Sequence, residues 1–200
     1  MNLDPTASQL AGAGVAYAPQ IAAAAVRHGV DPRLLAAVAA QETGGPGTNA
    51  GQNVVGDGGH GHGLFQIDDR WHDFAKSPEA MDPGANADYA AGMLHELIGR
   101  YGNVRQALSA YNAGNPNAAG TQTDWPDGEH LGYADSVMRH YAELGGSGTV
   151  GPTQPETLPA AFPQTLQPPP QLPAAAQPQS YRRQETDYAG LFDSDDSTTA

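Results

Sequence analysis

The sequence predicts an all-α domain, mainly helical with little or no sheet, that runs into a disordered Pro/Gln-rich C-terminal tail. Between Tyr17 and Leu144, apolar residues recur three or four positions apart, the spacing that gives a helix one buried face. The same stretch lacks the sustained period-two alternation that a substantial sheet would need. After Gly145 the composition changes: Thr149 to Ser180 hold nine of the chain's seventeen prolines and six glutamines, with few side chains able to form a core.

Four segments follow from this: an N-terminal segment at 1–16, a folded domain at 17–148, a linker at 149–180 and an acidic tail at 181–200. Within the domain, Asp31 before Pro32 has the form of a helix N-cap with proline at the first helical position. Leu34, Leu35, Val38 and Ala39 continue from it at helical spacing. Glu42 falls in the last turn of that helix, before the stop signal Gly44-Gly45-Pro46. The Gly- and Asn-rich stretch from Gly44 to Gly63 is too polar for a core and reads as a long functional or mobile loop. Further helices are predicted from about Asn86 to Tyr101, Val104 to Asn112 and Tyr133 to Leu144, with Met93, Leu94, Leu97 and Ile98 as the clearest buried stripe. In the tail, Tyr188, Leu191 and Phe192 form the one sizeable apolar cluster, readable as a docking motif for a protein partner or as part of a solvated terminus.

Composition narrows the function. Two hundred residues at 39% hydrophobic content suffice for one domain with a real core, and no run approaches the roughly 18 apolar residues of a membrane span. A net charge of −13, with nine scattered Lys and Arg, argues against a nucleic-acid partner, because backbone binding depends on clustered cations. An anionic polymer would have to be captured by local hydrogen bonds and stacking rather than by long-range attraction. The absence of cysteine excludes disulfides, thiolate metal ligands and Cys nucleophiles. The opening MNLDPTASQL lacks the charged start and apolar middle of a secretory signal, so delivery by another agent is expected.

The candidate chemistry centres on one carboxyl. An acid that protonates a glycosidic oxygen near neutral pH needs an apolar setting, and Glu42 closes an apolar helix with the pair Leu64-Phe65 available to face it. Alone, such a residue reads as readily as a solvated surface carboxylate. Four segments in order change this: Gln41-Glu42-Thr43, then Gly63-Leu64-Phe65-Gln66-Ile67, then Ala110-Tyr111-Asn112-Ala113-Gly114, then Tyr133-Ala134-Asp135-Ser136-Val137. The series resembles the soluble lytic transglycosylases and goose-type lysozymes of the lysozyme superfamily, over roughly Ile21 to Leu144. The resemblance implies that Glu42 is the acid and that the other segments line a peptidoglycan groove.

In that setting Gly63 would let the backbone approach sugar, Gln66 and Asn112 would offer amides to N-acetyl groups, and Tyr111 would offer an aromatic face with a polar tip. Core packing is an equal reading for Phe65 and Tyr111, and the resemblance places Tyr133 near the acid, where periodicity alone makes it a helix-packing aromatic. The run Gly56-Asp57 through Gly63-Leu64-Phe65-Gln66-Ile67-Asp68-Asp69-Arg70-Trp71-His72 resembles the goose-type segment in particular. There Asp57 and Asp68 would hold an attacking water opposite Glu42, as in an inverting hydrolase with carboxyls roughly 6.5 to 9.5 Å apart. His72 would line the groove, Asp69 reads as a solvated neighbour, and His60 and His62 read as polar loop residues rather than metal ligands.

The expected activity is therefore hydrolysis of the β-1,4 bond between N-acetylmuramic acid and N-acetylglucosamine, with no metal and no cofactor. The alternative within enzymes is a lytic transglycosylase that needs Glu42 alone and leaves 1,6-anhydro-muramic ends. A third reading is a structural virion or secretion-apparatus component that carries this wall-opening domain on its Pro-rich tether. In each case the expected place of action is the bacterial wall or periplasm, reached by way of a virion, holin or secretion apparatus.

Overall fold

The computed structural model describes residues 5–147, so the linker at 149–180 and the tail at 181–200 lie outside the described residues. Six helices build the domain: α1 (Pro5–Gly12), α2 (Ala18–His28), α3 (Pro32–Ala39), α4 (Pro83–Tyr101), α5 (Val104–Ala113) and α6 (Tyr133–Glu143). Their ends follow local chemistry. Asp31 accepts the Arg33 N–H at 2.8 Å, Asp82 the Ala85 N–H at 2.8 Å and Asn103 the Gln106 N–H at 3.1 Å, so three helices start on side-chain caps. α2 and α4 stop at Gly29 and Gly102, whose φ values of 64° and 62° lie in the left-handed region that glycine enters most easily.

Helix α3 is the centre of the domain. All of Leu34, Leu35, Ala36, Ala37, Val38 and Ala39 are buried, and the alanines let neighbouring helices approach closely. α2 packs on α3 and α4, α4 on α5, and α6 on both α3 and α5. Ile21, Leu34, Leu64, Phe65, Leu94, Leu108 and Val137 form one continuous apolar core. The predicted stripe on α4 is in place, with Leu94, Leu97 and Ile98 buried and Met93 packed partly against them.

Two departures from the sequence reading matter for the site. The stretch from Gly44 to Gly63, read as a loop, contains strand β1 (Val54–Gly56), a 3-10 turn at Asp57–Gly59 and β2 (Gly61–Gly63), and β2 pairs onward with β3 (Ile67–Asp68). All pairings are antiparallel, with Val54 opposite Gly63 and Gly61 opposite Asp68. A second hairpin, β4 (Gln122–Asp124) with β5 (His130–Gly132), leads directly into α6. Strands of two or three residues rest on backbone pairing and leave too little sequence for an alternating pattern. Helix α1 was also not anticipated; it adds Ala7 and Leu10, each 2% exposed, to the common core.

Candidate active site

Beyond Ala39 the central helix widens into a π-helical turn, Ala40–Gly44, and Glu42 sits on it. Such turns give up the regular hydrogen-bond ladder and recur at functional sites. Here the Gly45 N–H donates to the Ala40 carbonyl at 2.9 Å, and Gly45 leaves at φ 75°. Thr43 ties the turn to its surroundings. Its hydroxyl has the Ala39 and Leu64 carbonyls as acceptors, each at 3.2 Å, and it accepts the Gln52 N–H at 2.7 Å.

Glu42 is half-buried, and the Tyr133 hydroxyl donates to its Oε1 at 2.6 Å. Tyr133, the first residue of α6, is 1% exposed, so packing fixes the phenol where it meets the carboxyl. Tyr111 from α5 stacks against Tyr133, with centroids 6.5 Å apart and planes 16° apart, and its hydroxyl reaches the Phe65 carbonyl at 3.4 Å. Burial first, and then the charges of Glu42 and Tyr89, push the Tyr111 phenol well above its ordinary range, so it remains a donor at neutral pH. A phenol brings a hydrogen bond without a full positive charge, which leaves a carboxyl able to work in both protonation states.

Asp57 and Asp68 keep different company. Asp57, at φ 48° in the turn after β1, and Asp68, at the end of β3, meet the side chain of Arg70 between them. Arg70 Nη2 donates to Asp57 Oδ2 at 2.5 Å and to Asp68 Oδ2 at 2.6 Å, while its Nε lies 2.9 and 3.1 Å from the two oxygens of Asp68. The Arg70 backbone N–H adds a bond to Asp68 Oδ1 at 2.8 Å. These are charge-assisted contacts that occupy carboxylate oxygens and stitch the β1–β2 turn to β3.

The Gln66 amide donates to the Val54 and Gly63 carbonyls at 3.1 and 2.9 Å, and its Oε1 lies so close that a Cβ on Gly56 or Gly61 would collide with it. Gly63, at φ 76°, has Asn86 and the Ala80 carbonyl within 2.6 Å of where a Cβ would stand, so the closest packing at this glycine is against protein. The Phe65 ring is 1% exposed and belongs to the core. Asn112 accepts the Thr121 N–H at 2.9 Å, fixing the loop that leads to β4. His72 pairs its Nδ1 with the Tyr89 hydroxyl at 3.1 Å, and burial lowers its pKa, partly opposed by Asp68.

Asp69, read from sequence as a solvated neighbour, instead bridges two histidines, with His60 Nδ1 at 2.8 Å and His62 Nε2 at 3.2 Å. Those hydrogen bonds hold its carboxyl below the usual range. Among the described residues no group of three or more His, Cys, Asp or Glu is arranged to hold a metal ion.

The structure thus brings Glu42, Tyr133, Tyr111 and the Phe65 carbonyl into one cluster, and gathers Asp57, Asp68 and Arg70 into another. Sequence reasoning missed Asn86, which is fully buried and bonds the Phe65 N–H at 2.9 Å and the His62 and Ala80 carbonyls at 3.0 Å each. Its position was a usable clue: Asn86 stands one turn before Ala90 and two before Leu94, a polar residue in an apolar stripe. It also passed over Arg70, although that residue lies inside the run carrying the two acids.

Residues 19–127 match the family model described as Transglycosylase SLT domain, a span that includes Glu42, the β1–β3 region and Asn112 but stops short of Tyr133. The chain is 30% identical over 124 residues to Protein IpgF of Shigella flexneri, covering 59% of this chain and 76% of that protein. It is 33% identical over 132 residues to the Transglycosylase of Enterobacteria phage PRD1; that match takes in 65% of this chain and 45% of the phage protein, so the chain spans less than half the length of this relative. No solved structure gives a significant match. No helix among the described residues is long and apolar enough to cross a membrane. With a family match over more than half of its length, the chain belongs to the transglycosylase SLT domain family of the lysozyme superfamily and is a peptidoglycan-cleaving enzyme.

Proposed function

We propose that the domain is a lytic transglycosylase acting on the β-1,4 bond between N-acetylmuramic acid and N-acetylglucosamine, with Glu42 as its single acid and base. Glu42 gives its proton to the leaving glycosidic oxygen. As a carboxylate it then takes the proton of the muramyl 6-hydroxyl while that oxygen bonds to C1, closing a 1,6-anhydro ring and returning the acid to its starting state. No water is consumed. The observation that carries this reading is the contrast in partners: Glu42 meets the neutral Tyr133 hydroxyl at 2.6 Å, whereas Asp57 and Asp68 are engaged by Arg70. The name of the phage relative, Transglycosylase, supports it.

In this reading Tyr111 and Tyr133 shape the wall of the groove beside the bond being broken, and Asn112 and His72 lie along it. Gly63, Phe65 and Gln66 act mainly by holding the frame. A second reading keeps the hydrolase: Asp57 and Asp68 converge on one guanidinium nitrogen, so the two carboxyls stand close together, as a water-holding pair would. The products separate the two. Mass analysis of digested glycan strands should give muramyl ends lighter by one water than hydrolysed ends, and ends carrying that water would refute the transglycosylase reading.

We place the enzyme at the bacterial wall, delivered by a virion, holin or secretion apparatus, with 149–180 as the tether and 181–200 as the contact for a protein partner. The phage origin of one relative is what supports this. In the same assay, a chain lacking 149–200 should give the same products while losing incorporation into any such particle; lost digestion would count against the tether role.

A further inference from the structure

Two hydrogen bonds run from one short segment to two adjacent residues of the turn that carries the acid. Gln41 Nε2 donates to Thr123 Oγ1 at 2.9 Å, and ten residues further along Tyr133 donates to Glu42. The segment concerned is the β4–β5 hairpin and the first residue of α6, and it is itself firmly anchored. Trp125, in the hairpin's turn, is 4% exposed and donates its indole N–H to Ser136 Oγ at 3.0 Å. The guanidinium carbon of Arg139 lies 4.0 Å from the Trp125 ring centre, and Arg139 also pairs with Asp127 at 2.7 Å and Glu129 at 2.8 Å on the same hairpin. The buried ring of His140 lies 4.8 Å from that of Trp125, tilted by 52°.

Gln41 is 8% exposed, and Thr123 is the partner of its amide N–H group. An amide in that setting loses its bond only at the cost of a buried, unsatisfied donor, so the contact holds strongly to one geometry. A π turn needs such outside restraint, because it lacks the regular ladder that stiffens an α-helix. We infer that the β4–β5 hairpin is a positioning element for Glu42, with Gln41 and Thr123 as positioning residues that fix the turn while Tyr133 fixes the carboxyl. The two contacts act as struts from one rigid segment, and release of the first lets the turn, and with it Glu42, shift against the second. Small displacements of this kind are costly to rate, because the reacting groups must be held in near-attack geometry.

The inference rests on Glu42 being the acid, and its test is built to separate the two. Thr123→Val removes the hydroxyl at nearly constant shape, and Gln41→Met removes the amide from the other side of the bond. Measured on purified glycan strands, each should lower kcat about tenfold with KM unchanged. Thr123→Ser should restore the rate, and the double variant should be no slower than either single one. Wild-type kcat in the single variants, or losses that multiply in the double variant, would overturn the positioning role. Should Thr123→Val fail to fold, Gln41→Met with its own melting curve carries the same test. Glu42→Gln is run alongside: if it keeps activity, the reading of the acid fails and takes this inference with it, whereas an inactive Glu42→Gln beside a fully active Thr123→Val defeats the positioning role alone.

Discussion

Three carboxyls stand where the sequence set its catalytic candidates, and two regions of the molecule treat them differently. On the helical side, Glu42 receives a hydrogen bond from a buried phenol that belongs to a helix starting 91 residues away. On the sheet side, Asp57 and Asp68 receive a guanidinium from their own loop. These two contacts differ in charge, a neutral phenol in one and a guanidinium in the other. A neutral donor orients a carboxyl without adding a charge beside it, whereas an arginine bridge binds the two loops to each other. We therefore propose that proton transfer belongs to the first region and that the second supports the frame around it.

The comparison can be broken most sharply at Glu42. Glu42→Gln keeps the size of the side chain and an oxygen for Tyr133 to bond, yet it removes the proton that the leaving group takes. Glycan cleavage should fall about 1000-fold with the fold intact by circular dichroism. Retained cleavage would mean that the acid lies elsewhere. Tyr133→Phe is the sharper probe of the partner: it leaves the buried ring in place and deletes one hydrogen bond, so kcat should fall about tenfold with little change in KM. An unchanged kcat would show that the phenol packs against Glu42 without orienting it.

Helices α3 to α6 were legible because their signals are local. Asp31 with Pro32 marks the start of α3, and the α4 stripe through Leu94, Leu97 and Ile98 follows directly from helical spacing. The site was legible in part and only through the resemblance of its ordered segments: no periodicity links Glu42 to Tyr133, and nothing in Ala40–Gly44 distinguishes a π turn from the end of an α-helix. Side-chain roles were the least legible. Gln66 has the residue type for holding an N-acetyl group, yet its amide is taken up by the carbonyls of Val54 and Gly63, a contact set by the close pairing of glycine-rich strands. The β4–β5 hairpin went unread because its restraint on the fold lies in Trp125, Ser136 and Arg139, which come together only once α6 has packed.

We propose that one carboxyl performs the reaction while the acidic pair supports the frame. Replacing both Asp57 and Asp68 by Asn, and following glycan digestion by rate and product mass together, tests it most directly. Cleavage should stay within about threefold of wild type, with anhydro-muramic ends unchanged and a modest drop in melting temperature from the weakened Arg70 bridge. Loss of cleavage in a folded double variant, or wild-type products that carry an added water, would contradict it.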